Sequence, residues 1–239
     1  MPDIKVLWEG KLALSQIIWG DTSHPEFKLN SKFDLELNKF WLKHLESHPN
    51  DYNGTLLYLY DFKKQHSNLV LNTGTIKFST IIFMSNFNLE VNRGIGMLGV
   101  QCLIFDNSND YLLVGRRANY QSYYPGALTI PGGMLELNDL NYPPKTSLMR
   151  EILEEVKLNF VNLVELIAIL TGWNGISVTF LLSTYVNDPV DFSKSLEGDK
   201  EEWADGLNWI SVRELIHKNN NSPIILDGLR YFKSKTKLS

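Results

Sequence analysis

The chain has 239 residues, 44% of them apolar and 21% charged, with 27 acidic against 23 basic side chains and a formal net charge of −4 at pH 7. That length supports one large core, or a core with a smaller unit beside it, and the acidic balance gives no global attraction to nucleic acid or membrane, so neither is an expected partner. The one cysteine, Cys102, excludes an intrachain disulfide. It sits in an apolar run and suits a reducing cytoplasm, the expected location, since no signal peptide and no bilayer-spanning stretch is seen.

In chain order, strands are expected at 12–19, 56–62, 69–71 and 76–84. Between the first two, Phe33, Leu37, Phe40, Trp41 and Leu45 recur at helical spacing, predicting a helix over 31–47 that Pro49-Asn50 ends. A boundary near 92–96 then separates an α+β extension, 1–94, from a second unit, 95–239. The boundary is spanned by Gly94-Ile95-Gly96-Met97-Leu98-Gly99, which satisfies G-x-G-x-x-G. A dinucleotide fingerprint must open a helix, and this one leads into a strand-like run, so it is read as a decoy.

Paired strands follow at 97–105 and 111–116, linked by Asn107-Ser108-Asn109-Asp110. The run 127–130 reads as a strand end before the turn Pro131-Gly132-Gly133. A hairpin is expected from 166–171 and 176–186 across Gly172-Trp173-Asn174-Gly175, then a strand at 207–210, a helix from Val212 and another over 224–233.

The segment Arg150-Glu151-Ile152-Leu153-Glu154-Glu155-Val156 carries the chemistry. At about 100° per residue, Glu151, Glu154 and Glu155 share about a quarter turn of a helix, while Leu148, Met149, Ile152, Leu153 and Val156 fill the opposite arc. Taken alone, Glu-x-x-Glu-Glu is an ordinary solvated acidic face. Like charges one turn apart repel, however, and a hard cation such as Mg²⁺ or Mn²⁺ takes carboxylate and carbonyl oxygens. The glycine pair just upstream permits a sharp turn and lets a backbone carbonyl point where a side chain would intrude.

These residues resemble the Nudix hydrolases, whose signature reads G-x5-E-x7-R-E-U-x-E-E-x-G-U, U being aliphatic. Gly133 is followed after five residues by Asp139, and Arg150-Glu151-Ile152-x-Glu154-Glu155-x-x-Leu158 matches the helical half except at one position. Upstream, Tyr111-Leu112-Leu113-Val114-Gly115-Arg116-Arg117 and Tyr124 to Gly133 are similar to the family's strand and the approach to its catalytic loop. Three departures stand out: Asp139 replaces glutamate, ten residues instead of seven precede Arg150, and Lys157 replaces glycine. The added length contains Pro143-Pro144, and proline is tolerated in a helix's first turn.

The resemblance implies an α/β fold, the Nudix α/β/α sandwich with a mixed sheet, preceded by the smaller α+β extension. It implies Mg²⁺ (or Mn²⁺) held by Glu151, Glu154, Glu155 and the Gly132 carbonyl. Glu151 is a further metal ligand or the catalytic base, and Arg150, the second catalytic candidate, holds it in place. Arg116 and Arg117 are candidate substrate-binding residues, of which alternation along a strand lets at most one reach the phosphates; a solvated pair is the other reading. Glu201 or Glu202 would stand where many Nudix enzymes carry a further glutamate, unless that loop is merely acidic.

The extension and the lengthened loop are similar to Nudix proteins that cleave UDP-glucose and UDP-galactose. The expected partner is therefore a small nucleoside diphosphate derivative, foremost a nucleoside-diphosphate sugar, cleaved to a nucleoside monophosphate and a sugar phosphate. ADP-ribose, dinucleoside polyphosphate and RNA-cap hydrolysis are alternatives, the last lacking a basic track. A non-catalytic Nudix-fold binding or regulatory module is a further one, with the extension as a partner surface or homodimer interface; the intact acidic arc argues against it.

Overall fold

The computed structural model describes residues 5–23, 25–87, 89, 95–119, 125–156, 164–172, 176–186, 196, 203–217, 225 and 228–229. Its elements in chain order are β1 (Val6–Ala13), β2 (Ile17–Trp19), α1 (Asp34–Ser47), β3 (Thr55–Gln65), β4 (Asn68–Lys77) and α2 (Phe78–Asn86). The second half adds β5 (Gly96–Phe105), β6 (Tyr111–Arg117), β7 (Leu128–Thr129), β8 (Gly132–Met134), α3 (Pro144–Glu155), β9 (Glu165–Gly172), β10 (Ser177–Tyr185), β11 (Trp203–Ser211) and α4 (Val212–His217).

Among the described residues the eleven strands form one mixed sheet, with a main path β1-β9-β10-β5-β3-β4-β2. β10 runs parallel to β5, and β9 and β10 form the expected antiparallel pair; residues 173–175 of its expected turn lie outside the described residues. The expected pairing of β5 with β6 survives at one position, Phe105 opposite Leu112. Beyond it β6 turns to β7 and β11, leaving one edge of β5 to the short glycine strand β8.

The boundary drawn near residue 94 crosses this sheet: β1 pairs with β9, and β3 with β5. Leu57, Leu59 and Leu71 share a buried cluster with Val100, Cys102 and Phe180, so the two halves close over common apolar surface. Cys102 is fully buried within it, which pushes its thiol well above the ordinary range and makes it a packing residue. On the other side, Leu103, Phe105 and Leu181 pack with Val212 and Leu215 of α4. Helices therefore flank a mixed sheet, as expected. Among the described residues no helix is long and apolar enough to cross a membrane.

The expected helix over 31–47 is present as a 3₁₀ turn, Ser31–Phe33, leading into α1. Its aromatic stripe is half-buried rather than fully so, with Phe40 edge-on to Phe83 and Trp41 edge-on to Phe78. Two expected strands need correction. The run 12–19 breaks at a 3₁₀ turn, Leu14–Gln16, where the Ala13 N–H donates to the Gln16 side chain. The run 76–84 leaves strand β4 at Lys77 and becomes α2, buried through Ile81, Ile82, Phe83 and Met84. A short apolar run has no periodicity to distinguish the two states. The choice is reinforced from outside it, by Asn53 Oδ1 accepting the Ser79 N–H at 2.9 Å in the first turn. Of the helix expected over 224–233, Ile225, Gly228 and Leu229 are described and helical; the rest lies outside the described residues.

Candidate active site

Gly132 and Gly133 are needed for different reasons. Gly132 has φ of +156°, and a Cβ there would stand 2.0 Å from the Val100 carbonyl oxygen, so only glycine lets β8 lie this close to β5. It sits opposite Gln101, next to the bond that the Cys102 N–H donates to the Pro131 carbonyl. In such a non-hydrogen-bonded pair both backbone groups turn away from the neighbouring strand, and the Gly132 N–H donates to Glu155 Oε2 at 2.8 Å. At Gly133 a Cβ would stand 2.0 Å from Glu151 Oε2, so this second glycine leaves room for a carboxylate.

Gly133→Ala is thus expected to displace the end of a flexible side chain, keeping the melting temperature close to that of the parent while impairing the site. Gly132→Ala meets backbone and is expected to cost about 1–3 kcal/mol. Thermal melts of the two variants beside their rates check this, and equal stability losses would contradict the division of labour.

The lengthened loop has its own order. A 3₁₀ turn, Leu137–Asn141, is capped by the Glu136 N–H donating to Asp139 Oδ2 at 2.8 Å, and the Ser147 hydroxyl donates to the Asp139 carbonyl at 2.9 Å. Pro143 precedes α3 and Pro144 occupies its first turn, so the insertion ends where the helix starts. Along α3, Leu148 and Ile152 are buried and Val156 just beyond it is too, but Leu153 is 46% exposed, a correction to the expected apolar arc. Lys157 and Leu158 lie outside the described residues.

Arg150 organises the carboxylates. Its Nε and Nη2 donate to Asp139 at 3.0–3.2 Å, Nη1 donates to Glu154 Oε2 at 2.8 Å, and Nη2 also bonds Glu151 Oε1. Its expected contact with Glu151 is present. Asp139, read from the sequence only as a departure from the signature, is the buried anchor of the arginine, with its side chain 3% exposed. Burial alone would lower the guanidinium's pKa, but these carboxylates outweigh it and hold the group charged.

Burial pushes Glu151 from an ordinary 4.5 up to about 8; Arg150 opposes the shift, while Asp139, Glu154 and Glu136 add to it. The folded state therefore favours protonated Glu151. That contribution is fully present below about pH 4.5 and is lost as pH rises through about 8. In chelator, stability is expected to fall across this window with a slope approaching about 1.4 kcal/mol per pH unit, and Glu151→Gln should flatten it. Thermal melts from pH 5 to 8 test this; identical profiles for the two proteins would refute it.

The donors suit a hard divalent cation: Glu151, Glu154 and Glu155 carboxylates beside the outward-turned Gly132 carbonyl, all oxygen, with Glu151 crowded by neighbouring acids. Among the described residues no three His, Cys, Asp or Glu side chains already stand grouped as metal ligands. Arg150 holds Glu151 and Glu154, and the Gly132 N–H holds Glu155.

The acidic residues border a cavity of about 710 Å³. Arg117 lines it and is buried. Arg116, the other substrate-binding candidate and its neighbour on β6, is not among the residues lining this cavity: strand alternation turns it away, and its Nη1 donates to the Gly126 carbonyl at 2.9 Å. Glu201 and Glu202 lie outside the described residues, as does Gly94; Gly96 and Gly99 are in β5, so the G-x-G-x-x-G run enters a strand.

Several cavity residues were missed by the sequence reading. Gln101 of β5 and Ser177 and Thr179 of β10 lie among them, and the first half of the chain contributes Tyr52, Leu56 and Phe78. The Tyr52 hydroxyl donates to Glu136 Oε1 at 2.5 Å, and this bond, with burial, raises the phenol to about 12. No local pattern marks these residues, which are brought together by strand pairing.

A family model described as the NUDIX domain matches residues 97–227. No curated protein sequence matches the chain. Among solved structures it is similar to a MutT protein from Methanosarcina mazei (16% identity, TM-score 0.46, covering 62% of this chain and 99% of that one). It is similar too to the NUDIX domain of Shewanella oneidensis NrtR complexed with ADP ribose (12%, 0.46, 64% and 96%). The matched residues contain all of β5 but its first residue, the glycine turn, Asp139 and all of α3, and on that match the chain belongs to the Nudix hydrolase family.

Proposed function

We propose that this protein is a divalent-metal-dependent pyrophosphohydrolase that cleaves a nucleoside diphosphate linked to a second moiety, foremost a nucleoside-diphosphate sugar of the UDP-glucose type. The products are a nucleoside monophosphate and a sugar phosphate. The observation that carries the reading is one cavity bordered by Glu151, Glu154 and Glu155 and also lined by the buried Arg117. Carboxylates alone repel a diphosphate and arginine alone binds it without cleaving it; their combination suits phosphoryl chemistry.

Glu151, Glu154, Glu155 and the Gly132 carbonyl are the proposed ligands of Mg²⁺ or Mn²⁺. When bound, the ion supplies positive charge against the diphosphate oxygens. Arg117 binds phosphate oxygens from the cavity wall. In its ionised form Glu151 accepts the proton of the attacking water, and Arg150 fixes the orientation of its carboxylate. Tyr52, through Glu136, ties the wall from the first half of the chain to the loop that carries Asp139. The buried thiol of Cys102 takes no part, and the lone cysteine is in keeping with the proposed cytoplasmic setting.

The test is a panel of UDP-glucose, UDP-galactose, ADP-ribose, dinucleoside polyphosphates and nucleoside triphosphates with Mg²⁺ or Mn²⁺, both products being identified. Release of nucleoside monophosphate and sugar phosphate from a UDP-sugar is expected at the highest kcat/KM. A panel left wholly intact would overturn the hydrolase reading, and preference for another member would overturn the sugar assignment.

A further inference from the structure

The outer face of α1 carries apolar side chains that the core does not use. The inner face is committed: Phe40 is edge-on to Phe83, Trp41 is edge-on to Phe78, and His44 Nε2 is 2.7 Å from Asp51 Oδ2. Leu35 and Leu42 are on the opposite side, 65% and 67% exposed. Seven residues separate them in sequence, which puts them about 20° apart around the helix and about 10 Å apart along it. One exposed leucine is ordinary, but two stacked on the solvent side of a single helix make a short apolar line. Neither belongs to a buried cluster of the described residues.

The charges beside this line are ordered. Counted around the helix from Leu35, the exposed side chains of Glu46, Lys39, Lys43 and Glu36 all fall within about 100° on one side. Two copies related by a two-fold axis repeat each contact in both directions. With α1 antiparallel to its copy, one register buries both leucines: Leu35 against Leu42 of the second copy, and Leu42 against its Leu35. That choice fixes where the charges fall. Glu36 of the second copy comes level with position 41, between Lys39 and Lys43, and its Glu46 comes level with position 31, beside Lys32. The axis keeps the charged side of each helix against the charged side of the other, so each glutamate of the row meets lysine. A parallel pair also joins the leucines, but it turns the row toward Asp34, Asn38, Trp41 and Leu45, a side with no lysine for Glu36 or Glu46.

We propose that this face of α1 is a homodimer interface on which a second copy of the chain docks antiparallel. Leu35 packs against Leu42 of the copy, and Glu36 pairs with its Lys39 and Lys43 across the two-fold axis. The helix has 14 residues and is about 21 Å long. Two helices of that length cover less than the roughly 800 Å² per partner of a standard interface. The dimer is therefore weak, with a Kd of about 10–100 µM, and salt weakens it further because its ion pairs are exposed at the rim. The interface stands or falls apart from the hydrolase reading, since it uses no residue of the cavity.

Sedimentation velocity of the full chain between about 2 and 500 µM reads the equilibrium. Monomer is expected at the lowest concentration and mostly dimer at the highest, with a Kd that rises severalfold as salt is raised. Leu35→Glu and Leu42→Glu should each weaken the dimer at least about tenfold, while melting temperatures stay near that of the parent because both side chains are exposed. Glu36→Lys should weaken it about three- to tenfold. Adding Lys43→Glu to Glu36→Lys exchanges the two charges and should recover part of that loss, a result that general surface charge does not give. Circular dichroism identifies any variant that fails to fold, and the parent's concentration dependence is a test independent of the variants. A monomer throughout the range, a dimer indifferent to both leucine substitutions, or a double variant no better than Glu36→Lys alone overturns the interface.

Discussion

Glu155→Gln is expected to lower Mg²⁺-dependent turnover by at least about a hundredfold, some 2.7 kcal/mol of transition-state stabilisation, while the fold remains intact. Glu155 is 8% exposed, and its Oε2 accepts the Gly132 N–H at 2.8 Å. A glutamine oxygen can keep that bond at the same length, so the close approach of β8 to β5 survives and stability should change by no more than about 1 kcal/mol. What is lost is the charge, and with it most of the affinity of an oxygen-rich site for a divalent cation. Glu154→Gln should be milder, because that side chain is 58% exposed and bonded to Arg150. Rates measured across an Mg²⁺ titration distinguish the two. If Glu155→Gln turns over at the parent rate, the proposed metal site is wrong.

The acidic helix was legible in the sequence because its information is local. Residues spaced one turn apart share a helix face whatever surrounds them, and the double glycine is in the same stretch of sequence, 17 positions before Arg150. Register over long separations was not legible. Nothing near Ser177 announces that it stands beside Met97, or that Leu56 and Phe78 close the other side. Those positions depend on β10 joining β5 in parallel and on β3 pairing with β5 from the far half of the chain. The same limit explains the boundary near residue 94: each segment has its own strands, and only their pairing reveals a shared sheet.

The corrected elements follow a similar division. Strand alternation was enough to predict that Arg116 and Arg117 face different ways, but not which one enters the cavity. That is decided where β6 leaves β5 for β7 and β11. The run 78–84 was read as strand because a wholly apolar segment satisfies both periods, and Asn53, which helps fix its first turn, is distant in sequence. Asp139 lay in view, six positions after Gly133. Its importance comes from burial beneath Arg150, which spacing cannot supply.

Arg150→Ala should therefore destabilise the metal-free protein by about 2–4 kcal/mol, somewhat below the full effect of breaking a wholly buried ion pair because the arginine side chain is 38% exposed. The loss arises mainly at Asp139, whose nearly inaccessible carboxylate keeps the Glu136 N–H but loses its cation. Adding Asp139→Asn to Arg150→Ala should recover part of the stability, a coupling that a double-mutant cycle reads directly. Arg150→Lys should rescue little, since one ammonium cannot span Asp139, Glu151 and Glu154 as the planar guanidinium does. The same variant probes the metal assignment without any substrate. Without Arg150, Glu151 and Glu154 repel each other with no cation between them, so Mg²⁺ should raise the melting temperature of Arg150→Ala more than that of the parent protein. Equal increments would mean that the carboxylates released by Arg150 are not the ones that hold the ion.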